Sequence, residues 1–212
     1  MSEPRLIPAE ETRVEFKVAN SRFIATAGPA FSVDEAKGFI QKVRDEFSDA
    51  THNVPVFIIG HGASTTEHSS DDGEPSGTAG RPALAVLRGS GLGDVVVVIT
   101  RYFGGTKLGT GGLVRAYSDA VREVLEALPR AQKVATLTAK FITPYSFYEQ
   151  AKRIVAQHKG WIVDEDFVVD VTVSARFVEG GYQDFRQQIF DQSHGQIEPE
   201  VIEENPNSIM PV

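Results

Sequence analysis

The chain has 212 residues, 41% of them hydrophobic and 24% charged, enough apolar material for one large domain or two small ones. Its 21 lysines and arginines against 29 aspartates and glutamates leave a net charge of −8, so contact with a polyanion has to be a local patch rather than a property of the whole surface. Cysteine is absent, which excludes disulfides, thiolate nucleophiles and thiolate zinc sites; with no signal-like start and no apolar run approaching about 20 residues, a cytoplasmic protein that avoids the membrane is expected.

Residues 12–18 alternate and are predicted to form a strand, Ala19 and Asn20 a turn, and residues 22–27 its hairpin partner. A helix follows: Ser32 with Glu35 makes a capping-box pattern, and Val33, Ala36, Phe39, Ile40, Val43 and Phe47 share one face up to Ser48. Residues 54–59 are short and apolar behind the polar Thr51, His52 and Asn53, as in a buried strand entered from a loop. The stretch SSDDGEPSGTAGRPAL over 69–84 gathers Asp71, Asp72 and Glu74 among glycines and prolines, with no apolar period, and is an acidic loop. Residues 81–87 are predicted to be helical, ended by Gly89, Gly91 and Gly93. Then comes DVVVVITRYFGGTKLGTGGLVRAY over 94–117. Five consecutive β-branched residues, 95–99, have the composition of a strand buried on both faces, and the strand empties into a glycine-rich loop. Leu113, Tyr117, Ala120, Val121, Val124 and Leu128 then follow a helical period.

The rhythm changes at Pro129. Residues 133–143 alternate, Phe147, Ala151, Ile154, Val155 and His158 make a helix closed by Gly160, and residues 161–163 form a short strand. Phe167, Val169, Val171, Val173, Ala175 and Phe177 are apolar at every second position, which predicts one long strand over 167–177. A helix carrying Tyr182, Phe185, Ile189 and Phe190 follows, then a strand over 197–201 and a polar tail over 203–212 with little to bury. Strand, helix, strand, strand, helix, strand is the order of a ferredoxin-like, split βαβ unit, so two domains are expected, 1–130 and 131–212.

The glycine loop sits between a strand end and a helix start, where backbone N–H groups and the helix dipole hold anions. Arg101, Lys107 and Arg115, with the backbone of Gly104, Gly105 and Gly109, are therefore the candidate contacts for a phosphate or carboxylate. The loop matches neither the Walker pattern nor GxGxxG in register, so a plain tight connection stands beside that reading. Asp71, Asp72 and Glu74 admit three roles: ligands for a hard cation, a solvated turn, or charged partners for Arg101 or Arg81. The solvated turn is favoured, and no metal site is expected. His52, His61 and His68 lack a shared helical face, Ser64 and Ser76 lack a nucleophile context, and Tyr102 and Phe103 read as core walls in preference to a stacking platform.

Two of these stretches carry a resemblance. DDGEPSGTAGRP followed by RYFGGTKLGTGGLVRAY, with SRFIA at 21–25 and THN at 51–53, resembles the signature of the IMPACT family in its bacterial YigZ branch. The resemblance implies an α+β protein: an N-terminal domain like the second domain of ribosomal protein S5, then a ferredoxin-like domain similar to one in elongation factor G. It also implies a non-catalytic regulator acting in or near translation by binding RNA, the ribosome or a translation factor through a local basic patch, with no cofactor. The alternative is an enzyme acting on a phosphorylated or otherwise anionic small molecule, with Asp72 or Glu74 as base or metal ligand and Arg101 and Lys107 as electrostatic stabilisers. Either way the acidic loop is expected to lie against the glycine loop.

Overall fold

The computed structural model describes residues 5–62, 64–178 and 180–211. Their elements in chain order are β1 (Arg5–Pro8), β2 (Thr12–Val18), β3 (Ser21–Pro29), α1 (Val33–Glu46), β4 (His52–His61), β5 (Ser64–Ser69), α2 (Gly80–Gly89), β6 (Val95–Tyr102), α3 (Gly109–Ala127), β7 (Arg130–Thr143), α4 (Tyr145–Gln157), β8 (Trp161–Phe167), β9 (Val171–Val178), α5 (Tyr182–Gln192) and β10 (Glu200–Pro211). The chain divides into two units, one running to Gln132 and one from Lys133 to Met210.

The first unit is a five-stranded sheet in the order β2-β3-β6-β4-β5, with every neighbour antiparallel. The central strand β6 is buried on both faces, and residue parity divides its side chains. Val95, Val97 and Ile99 join the core made with α2 and α3, while Val96 and Val98 join a second core with Ala36, Ile40 and Val43 of α1. The sheet is thus the middle of three layers. The capping pattern of α1 forms: Ser32 Oγ accepts the Glu35 N–H at 3.1 Å, and Glu35 Oε2 reaches back to the Phe31 N–H at 2.9 Å.

Two strands of this unit have no counterpart in the sequence pattern. β1 has four residues, too few to show a period, yet Ile7 is fully buried. β5, STTEHS, lies at the sheet edge; its side chains are almost all exposed, and an edge strand without an apolar face carries no alternation to read.

The second unit orders its strands β10-β7-β9-β8, with β7–β9 and β9–β8 antiparallel. In the unit's own sequence these are its fourth, first, third and second strands, the arrangement of a ferredoxin-like sheet. Phe141, Val173, Ala175 and Phe177 face Ala151, Ile154 and Val155 of α4 and Phe185 and Ile189 of α5 in one core.

Two expectations are corrected here. The single strand over 167–177 is two strands: Phe167 ends β8, the Val168 N–H donates to the Asp170 carbonyl at 3.2 Å, and β9 starts at Val171. Val169 sits in the turn at 85% exposure; its place in the alternation is coincidental, because a hairpin turn of odd length preserves the parity of the strands it joins. The strand expected over 197–201 starts at Glu200 and continues through the polar tail to Pro211 as β10, which pairs with β7; the tail's last residue lies outside the described residues. The strand's stability comes from backbone hydrogen bonds, which composition does not report. Among the described residues no helix is long and apolar enough to cross a membrane.

Candidate functional site

The parity that sends Val95, Val97 and Ile99 toward α2 and α3 sends Arg101 the same way, carrying a guanidinium into the end of that core. Arg101 is buried. Its Nη1 donates to Glu74 Oε1 at 2.6 Å, its Nη2 to Ser21 Oγ at 3.2 Å, and its guanidinium lies 5.5 Å from the ring of Phe23 and 5.5 Å from that of Phe103. Such a charge is tolerated so far from water because a carboxylate meets it and aromatic faces flank it.

Glu74 is the acidic loop's contribution. Its carboxylate also accepts the Tyr117 hydroxyl at 2.8 Å and lies 3.8 Å from His52 Nε2. Burial and then the adjacent Glu74 push the Tyr117 phenol far above its ordinary range, so Tyr117 is a fixed donor. His52 Nδ1 lies 2.7 Å from the Asp72 carbonyl; a carbonyl only accepts, so Nδ1 carries a proton, and Nε2 faces the Glu74 carboxylate.

The other two acids are held by the backbone. Asp71 accepts from Gly77 N–H at 2.8 Å, Ala79 N–H at 3.1 Å and Gly80 N–H at 2.8 Å, capping α2, whose own N-cap residue Ala79 has no side-chain acceptor. Burial works to raise the Asp71 carboxyl, and these three N–H donors outweigh it, holding it below the usual carboxylate range. Asp72 accepts the Asn53 N–H at 2.7 Å and an Arg44 Nη2–H at 2.7 Å. Of the three roles open in the sequence, Glu74 takes the pairing with Arg101, and among the described residues no cluster of three His, Cys, Asp or Glu side chains has the arrangement of a metal site.

On the other side stands the glycine loop. A Cβ at Gly104 would come within 2.0 Å of the Asn20 carbonyl, so only glycine passes there, and Gly105 holds φ at +82°. Ser21 Oγ accepts the Gly104 N–H at 3.3 Å, and Thr51 Oγ1 accepts the Phe103 N–H at 3.0 Å. Lys107 is exposed, and Leu108 at the N-cap of α3 offers no side-chain acceptor to the helix's first N–H groups. Glu74, Pro75, His52, Arg101, Phe103 and Lys107, with Gly109 and Thr110, line one cleft of about 440 Å³. The acidic and glycine loops therefore line the same cavity; THN supplies Thr51 and His52 to that lining, while Ser21 of SRFIA bonds Arg101 and Gly104 and Asn53 bonds Asp72.

The candidate cations are spread differently from the sequence picture. Arg101 forms the buried floor, Lys107 is exposed at the surface, and Arg115 is exposed on α3 but is not part of the cleft lining. Phe103 corrects the core reading: it is 46% exposed and faces the cleft, while the Tyr102 hydroxyl donates to Asp49 at 2.7 Å. Tyr117 was legible only as one residue of an apolar stripe; the remaining signal was its hydroxyl, which requires a partner when buried.

The Impact N-terminal domain model matches residues 19–125, the part of the chain that builds this cleft. Across 94% of this chain and 98% of the relative, it is 34% identical to IMPACT family member YigZ of Escherichia coli (strain K12). The chain belongs to the IMPACT family. A second member, YvyE of Bacillus subtilis (strain 168), is 47% identical over 111 residues, covering 52% of this chain and 51% of that one. A crystal structure of an hypothetical protein superposes with a TM-score of 0.61 at 35% identity, over 97% of this IMPACT chain and all of the other.

Proposed function

We propose that this IMPACT protein is a non-catalytic cytoplasmic regulator acting in or near translation, and that it binds RNA or the ribosome at the cleft between the acidic and glycine loops. The observation that carries the reading is the juxtaposition of exposed Lys107, the side-chain-uncapped start of α3 and half-exposed Phe103 on one rim. A cation beside uncapped helix N–H groups suits a phosphate, and an aromatic face beside them suits a base. The acids weigh against the enzyme alternative. Asp71 and Asp72 are committed to backbone donors and Arg44, and Glu74, tied to Arg101 and Tyr117, is an anchor in preference to a proton shuttle.

The test is Lys107→Ala in the full chain, assayed by binding to single-stranded RNA and by co-sedimentation with ribosomes over a range of salt. On a surface of net charge −8 the affinity is expected to be modest and steeply salt-dependent. The substitution should lower it and reduce the log–log salt slope by about one unit, with folding stability within about 0.5 kcal/mol of the parent. Unchanged affinity and slope in the folded variant would reject the cleft as a polyanion site. Turnover of a phosphorylated metabolite, lost with the same substitution, would establish the enzyme reading instead.

A further inference from the structure

Glu74 retains a bonding capacity that its neighbours leave unused. Its side chain is 3% exposed, both of its donors, Arg101 and Tyr117, go to Oε1, and among the described residues nothing donates to Oε2. Oε2 is not sealed in, because the sealed side-chain atom without a partner among the described residues is Arg101 Nε. His52, whose Nδ1–H faces the Asp72 carbonyl, in its neutral form adds Nε2 as an acceptor 3.8 Å from Oε1 of the same carboxylate. The cleft lining thus offers neighbouring acceptors at Glu74 and His52, with the carboxylate's charge already balanced by Arg101. The Phe103 face forms a wall, and Lys107 with the first turn of α3 supplies donors. A carboxylate in that setting calls for adjacent N–H groups on the ligand, and the donors of the same lining call for an anion.

Among the nucleobases, guanine alone carries two adjacent donors, N1–H and the N2 amino group, on its Watson–Crick edge. Adenine and cytosine set one amino group beside a ring acceptor that would oppose the carboxylate, and uracil sets one N–H between two carbonyls. We propose that the cleft takes a guanine nucleotide, its N1–H and N2 amino group donating to Glu74 Oε2 and His52 Nε2, its ring against Phe103 and its phosphate at Lys107 and the start of α3. This rests on the RNA-binding reading and narrows it: the ligand is an unpaired guanosine in a single strand, since a paired guanine has no free Watson–Crick edge.

The experiment is calorimetric titration of the full chain with GMP, AMP, CMP and UMP, and with IMP, which keeps N1–H and lacks the N2 amino group. GMP is expected to bind about tenfold or more tighter than the other three, with IMP weakened toward them. Phe103→Ala should cost about tenfold in GMP affinity in a protein that still folds, because that ring is half exposed and Glu74 still pairs Arg101. Glu74→Gln should erase the preference for GMP; because that variant removes a buried partner of Arg101 and risks unfolding, IMP tests the same contact on the unaltered protein. Equal binding of all the nucleotides, or GMP binding indifferent to Phe103→Ala, overturns the proposal. RNA binding that depends on Lys107 without any preference for GMP sinks the guanine pocket and leaves the proposed function standing. Absence of both RNA and nucleotide binding sinks both, whereas GMP binding without RNA binding keeps the pocket and moves the protein to a small-molecule ligand.

Discussion

Arg101 and Glu74 are both withdrawn from water, and each is stable there only because of the other. Removing one partner leaves a buried charge without its counter-ion, so Arg101→Ala is expected to cost about 3–5 kcal/mol in urea unfolding, far more than Lys107→Ala on the exposed rim. A loss below about 1 kcal/mol would mean that water reaches Glu74 freely and that the cleft is looser than its lining indicates. Tyr117 adds a pH dependence. Its phenol is raised in the folded protein by burial and by Glu74, so its contribution is fully present below the ordinary tyrosine value of 10.0 and is lost as pH climbs above it. Tyrosinate absorbance from Tyr117 should emerge only together with alkaline unfolding, and Tyr117→Phe should move that unfolding to higher pH, at a cost near neutrality of about 1 kcal/mol for the hydrogen bond to Glu74. A Tyr117 that titrates while the fold persists would contradict its burial.

At the scale of the element, two helix glycines separate local propensity from tertiary fit. Gly38 lies on the exposed side of α1, and a Cβ there would meet nothing within 4 Å; Gly38→Ala should stabilise the protein by about 0.5–1 kcal/mol. Gly80 opens α2 with the Ser70 carbonyl only 2.6 Å from where a Cβ would be. Gly80→Ala must push the acidic loop off the helix and is expected to cost about 1–3 kcal/mol, read as a lower midpoint in thermal or urea unfolding. The sign of each change is the check: equal effects from the two substitutions would show that helix propensity alone governs both positions. The loop held at Gly80 also bears Glu74, so the same substitution should weaken ligand binding at the cleft.

For the whole molecule, the two units have separate cores, but the division at Gln132 falls inside β7 and not in a loose linker. We expect residues 1–132 expressed alone to unfold in one cooperative transition by calorimetry, because the cores on both faces of β6 are complete within them. Loss of the transition in that fragment would make β7 a structural part of both units. The net charge of −8 acts at this scale too: under the proposed RNA binding it opposes long-range approach, so salt should accelerate encounter even as it weakens the proposed phosphate contact.

Periodicity by itself determined what neighbours along the chain decide. The run of β-branched residues at 95–99 could only be a strand covered on both sides, Ser32 with Glu35 marked the start of α1, and the strand–helix order after Pro129 prescribed the ferredoxin-like unit. Composition likewise excluded thiol chemistry and made any polyanion contact local. Tertiary structure decided whatever depends on partners distant in sequence. β5 and β10 exist because of the strands beside them, and the hairpin at 168–170 breaks an alternation that continues through it unchanged. At the site, the motifs marked the two loops and Lys107 as candidates but did not show that Arg101 is buried or that Phe103 is exposed. Whether a charged side chain faces water depends on strand parity and on a carboxylate 27 residues away, and no local window of sequence contains both.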